Sequence, residues 1–113
     1  MSVATDAHFT VDSRFAEVRR PVEPIRHGFR VVRRAWVAGA LDARHEGWER
    51  PEEAAARFAE GIASLPGDVL VVATHGMILT AWLSSIGELA VGDAAATFWA
   101  ALAMPDVVEV EVD

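Results

Sequence analysis

The sequence predicts a small α/β fold, a short and mostly parallel sheet with helices packed against it in three layers. Three observations carry that expectation. Residues 69–73, VLVVA, form a short β-branched run that is apolar on both faces, as a strand inside a parallel sheet is. Helical patterns precede and follow this run, the arrangement of an α/β unit. The last seven residues, VVEVEVD, alternate valine with acids as a half-exposed strand does.

The remaining elements follow in order. The chain opens on a polar segment, and His8-Phe9-Thr10-Val11 then alternates like a short strand. Residues 12–24, DSRFAEVRRPVEP, are charged and broken by two prolines, which marks a surface loop. From Ile25 the spacing is helical: Ile25, Phe29, Val32 and Trp36 share one face, Arg26, Arg30 and Arg33 line an adjacent one, and Gly39 ends the helix. LDARHEGWER is a polar connection. Pro51 suits the first turn of the next helix, with Glu52 and Glu53 near its positive end. Ala54 or Ala55, Phe58, Ile62 and Leu65 form its apolar face, and LPGD closes it. After the strand come a helix over residues 77–86 and another that Asp93 could cap, running through Leu102. The order is β-α-α-β-α-α-β, in one domain spanning residues 1–113.

Composition narrows the function classes. The hydrophobic content is 52% and the net charge is −7. No apolar run approaches the length of a membrane span, no signal peptide is evident, and a cytoplasmic protein is the default. Cysteine is absent, which removes thiolate chemistry and cysteine metal sites. His8 and His45 lack partners at metal-ligand spacing and are read as surface residues. No metal and no cofactor is expected. All ten basic residues are arginines between Arg14 and Arg57, whereas eight acids and no base follow Arg57. A net acidic chain is a poor general binder of nucleic acid, whose affinity comes largely from neutralised phosphates.

His75 is the residue that calls for chemistry. It stands at the carboxyl end of the expected central strand, where open α/β sheets place their ligands. Gly76 follows at a helix amino terminus, where free N–H groups and the helix dipole suit an anion and a glycine lets it come close. A histidine there can donate a charge-assisted hydrogen bond to a phosphoryl oxygen.

VLVVATHGMILTAWL resembles the second-histidine motif of the histidine phosphatase superfamily, the phosphoglycerate-mutase-like proteins. GWERPEEAAARFAEGIASLPGD is similar to the family's preceding helix, Arg57 included. DSRFAEVRRP resembles the segment that carries the family's acid, here Glu17, and FWAALAMPDVVEVEV resembles its closing helix and last strand. The resemblance covers roughly residues 9–113 and rests on several motifs in the right order. It implies a phosphoglycerate-mutase-like fold, His75 and Glu17 as catalytic residues, His75 and Gly76 as phosphate-binding residues, and a phosphorylated small molecule or inorganic phosphate as ligand.

The family's first strand and its arginine-histidine-glycine motif, which carries the nucleophile, should precede the segment matched by residues 12–17. Only eleven residues stand there. The chain therefore reads as a domain truncated at its amino end, its first strand absent. Residues 25–28, IRHG, spell the missing triplet, but they follow RRPVEP and enter a helical pattern, so coincidence is the better reading. With no first strand, the strand at residues 69–73 would expose an edge. A homodimer, a strand exchange or a partner chain is expected to cover it. The expected function is a phosphate-pocket half-site, related to phosphomonoester hydrolysis or phosphoryl transfer but impaired or inactive as an isolated chain. The alternatives are a non-catalytic remnant that binds an anion or a protein, and an interaction module built on the basic helix that begins at Ile25.

Overall fold

The computed structural model describes residues 2–5, 8–21, 28–65, 71–72 and 74–102. Four α-helices organise them: α1 (Phe29–Ala38), α2 (Pro51–Ala63), α3 (Gly76–Ser85) and α4 (Asp93–Ala101). Short 3₁₀ turns at Ser13–Phe15 and Ala43–His45 join them to the connecting segments. Three strands accompany the helices, β1 (Ser2–Thr5), β2 (His8–Val11) and the two-residue β3 (Val71–Val72).

The α/β expectation is overturned. The fold is helical, and the little pairing present runs in the order β2-β1-β3 with both pairs antiparallel. Among the described residues no parallel pair exists, and the three-layer phosphoglycerate-mutase-like sandwich is not formed. The central element is α3, which α2, α4 and α1 all contact. Met77, Ile78, Thr80, Ala81, Trp82 and Leu83 of α3 are all buried. A helix apolar over most of its circumference packs inside a helical core as readily as beside a sheet, so its composition could not decide between the two.

One edge of Val71–Val72, the described part of residues 69–73, is occupied, and β3 lies at the end of the strand order. Val3 pairs with Val72 and Ala4 with Val71, so the opening segment, expected to be a polar lead-in, supplies a strand neighbour. Local pattern names an apolar run as a strand; it does not name the partner. The expected strand over residues 107–113, along with Ile25, Arg26 and His27, lies outside the described residues.

The helix ends follow their local signals. Pro51 is the first residue of α2 and Glu52 and Glu53 stand in its first turn, where Glu53 accepts a hydrogen bond from the Arg50 amide at 3.1 Å. Gly39 closes α1 in the left-handed conformation, with φ 81°, which glycine adopts without strain. Gly92 rather than Asp93 is the cap of α4; Asp93 is that helix's first residue.

Phe15, Trp36, Phe58 and Trp82 bring the aromatic weight of the core together. The Phe15 and Phe58 rings meet edge-to-face at 5.1 Å, and Phe58 lies 4.8 Å from Trp82. Gly61 on α2 makes room for Phe15. A Cβ at Gly61 would lie 2.8 Å from Phe15 Cζ and 3.1 Å from Arg14 Cβ. Phe15 is fully buried and has nowhere to swing. Gly61→Ala is therefore expected to lower stability. The overpacking cost of about 1–3 kcal/mol opposes a helix-propensity gain of at most about 1 kcal/mol. A fall in the urea unfolding midpoint checks this.

His45 is not the surface residue expected from sequence. It is 6% exposed, its Nδ1 accepting from the Asp42 amide at 3.1 Å and its Nε2 lying 2.8 Å from the Val32 carbonyl. Both ring nitrogens find backbone partners, which is what admits a histidine to the interior.

Candidate functional site

His75 is the cap residue of α3, extended at φ −116° and ψ 157°, with its side chain making no capping hydrogen bond and exposed to solvent. Its carbonyl accepts the Leu79 amide at 3.1 Å, the first backbone turn of the helix. The extended residue at the helix boundary anticipated from THG is present, although the element behind it is not the strand of a parallel sheet.

Glu17 converges on the same helix head. Its Oε2 accepts from the Met77 amide at 3.2 Å, and its Oε1 from the Ile78 amide at 3.0 Å and from the Val18 amide at 2.9 Å. The first N–H groups of a helix have no carbonyl partner within it and attract negative charge. Here a carboxylate of the chain itself satisfies two of them. The anion seat expected at the start of α3 is thus partly taken by Glu17.

Gly76 has a different neighbour from the one expected. A Cβ there would come within 3.3 Å of Trp99 Cδ1 and 3.4 Å of Leu102 Cδ1, so the missing side chain admits the Trp99 indole from α4. The Arg30 guanidinium lies over that indole at 4.7 Å, which gives one arginine of the face adjacent to Phe29 and Trp36 an aromatic partner.

The segment carrying Glu17 is gripped from several sides. Thr74 Oγ1 donates to the Phe15 carbonyl at 2.9 Å. Arg57 on α2 donates through Nη1 to the carbonyls of Ser13, Arg14 and Ala16 at 2.9–3.1 Å and through Nη2 to that of Glu17 at 3.4 Å. The same guanidinium forms a bidentate pair with Glu49, Nη2 to Oε1 at 2.7 Å and Nε to Oε2 at 3.0 Å. Both side chains are nearly buried, at 10% and 6% exposure. Burial of Glu49 raises its carboxyl's pKa, but the Arg57 hydrogen bond, the Arg19 amide and the charges of both arginines outweigh it and hold the pKa below its ordinary value.

Sequence reading singled out Arg57 only through the resemblance and passed over Glu49 altogether. Their spacing of eight residues matches no single-helix pairing rule, and Glu49 lies ahead of α2. The signal was faint: a carboxylate just before a helix whose inner face bears one arginine.

A separate cavity of about 440 Å³ opens beside Trp36, Leu41, His45, Trp48 and Glu49; neither His75 nor Glu17 lines it. Among the described residues no cluster of histidines and carboxylates is arranged to hold a metal ion, and no helix is long and apolar enough to cross a membrane. No family model, no curated protein and no solved structure matches this chain.

Proposed function

We propose that the chain is a phosphate-binding half-site protein related to the histidine phosphatases, in which His75 holds a phosphomonoester or inorganic phosphate without hydrolysing it unaided. One observation carries this reading. Glu17 and the head of α3, 61 residues apart at Ile78, meet through the Glu17 carboxylate, and the exposed His75 stands at the same helix head. An exposed histidine at a helix head can bind a phosphoryl group by position and charge, although Glu17 already occupies the Met77 and Ile78 amides there. Hydrolysis through a phosphohistidine would need a nucleophile that this half-site lacks, supplied by a second copy or another polypeptide.

A second reading is favoured by the engagement of both Glu17 oxygens: Glu17 is a structural clamp on α3, and His75 binds nothing. Titration of inorganic phosphate and phenyl phosphate into ¹⁵N-labelled protein separates the two. The half-site reading expects saturable shifts at His75 and Gly76 that disappear in His75→Ala. In Glu17→Gln, phosphate should bind about fivefold more tightly, since one like charge is removed at near-aqueous screening. Absence of saturable shifts in the native chain would leave the clamp reading in place. Release of phosphate from phenyl phosphate by the native chain, lost in His75→Ala, would contradict the non-catalytic part of the proposal.

A further inference from the structure

We propose that Arg57 is the positioning residue for Glu17, holding the backbone that places its carboxylate on the amides of Met77 and Ile78. A guanidinium has five N–H groups in a rigid planar fork, so it can hold one carboxylate bidentately and still offer donors to several carbonyls. Arg57 does so here. One edge is locked by Glu49, and the remaining donors face four carbonyls of residues 13–17. Phe15 and Thr74 pin the middle of this segment, whereas Arg57 holds its flanks on either side. Glu49 faces Arg57 and the Arg19 amide, so a single carboxylate orients the fork.

The consequence for phosphate rests on the half-site reading; the positioning itself does not. Met77 and Ile78 lie in the first turn of α3, where amides have no carbonyl acceptor within the helix. Their protection from hydrogen exchange therefore reports the Glu17 carboxylate. That signal distinguishes positioning from general support of the core.

The experiment compares Arg57→Lys, Glu17→Ala and the double variant by amide hydrogen exchange. Lysine keeps the charge opposite Glu49 but cannot reproduce the fork. Arg57→Lys is expected to lose protection at Met77 and Ile78 by roughly 10- to 100-fold, the worth of hydrogen bonds to a charged group, while Trp82 and Ile62 keep theirs. Glu17→Ala should give the same local loss, and the double variant no more than either alone, as two residues acting through one contact do. Uniform loss of protection across α2 and α3 in Arg57→Lys, unchanged Met77 and Ile78, or additive losses in the double variant would each overturn the proposal. If Arg57→Lys does not fold, Glu49→Gln loosens the same fork and is judged by the same two amides. Phosphate titration of each folded variant forms the second arm. If phosphate fails to bind the native chain the half-site reading falls, and the amide result still decides whether Arg57 positions Glu17.

Discussion

Replacing Arg57 by methionine is expected to cost about 3–5 kcal/mol of folding stability, the range for breaking a buried pair by removing one partner. Glu49 would remain nearly buried without its guanidinium, and four carbonyls of residues 13–17 would lose their donor. Methionine has a similar length and an apolar body, so the loss reads the polar contacts more than a cavity. Urea unfolding of the two proteins at neutral pH measures it. The difference should also depend on pH. Because the Glu49 carboxyl is held below its ordinary value of 4.5, its contribution is fully present above that pH and is lost as pH falls through the lowered folded-state value. The gap between native chain and variant is therefore expected to narrow in acid. A gap that stays constant from neutral pH to acid would show that the pair does not contribute in this way.

Trp36→Ala is expected to have an effect of similar size. Trp36 is fully buried, and its indole N–H donates to the Glu49 carbonyl at 2.8 Å. Truncating a buried tryptophan costs about 3–5 kcal/mol through lost contacts and the cavity left behind, and it strips that carbonyl of its donor. Trp36→Phe keeps most of the apolar volume and removes the hydrogen bond, so it should lose less. Val91 is 74% exposed, and Val91→Ala should move the unfolding midpoint hardly at all. Chemical denaturation of the three variants checks the order. Equal losses in Trp36→Ala and Val91→Ala would mean that Trp36 is not part of the packed core.

The two expectations bear on one structural fact. Trp36, Glu49 and Arg57 form a chain of contacts from the fully buried face of α1 to the segment that carries Glu17. The candidate site is therefore attached to the core through the residues whose loss should be felt most.

Much of the local architecture was legible in the sequence. Pro51 with Glu52 and Glu53 announced α2, Gly39 announced the end of α1, and the periodicity of Phe58 and Ile62 marked the buried side of α2. These signals act over one or two helical turns, so a linear reading can see them. The sheet was misread because residues 69–73 are apolar on both faces, which suits a parallel sheet but equally suits any interior place. Its described part, Val71–Val72, pairs antiparallel with Val3 and Ala4, in a segment whose composition reads as a polar lead-in. His45 was misplaced for a related reason: whether a histidine can be buried depends on the Asp42 amide and the Val32 carbonyl reaching its ring, and spacing does not reveal that.

At the site, the sequence by itself determined that His75 would stand at a break between two apolar segments, ahead of a helix. It also singled out Glu17, through a resemblance. Only the tertiary structure decided that the Glu17 carboxylate lies on the Met77 and Ile78 amides, that Trp99 fills the space at Gly76, and that Arg57 holds the intervening backbone. The physical reason is range. Caps and periodicities are set by bonds between near neighbours, whereas these contacts join residues tens of positions apart and exist only once the helices have packed.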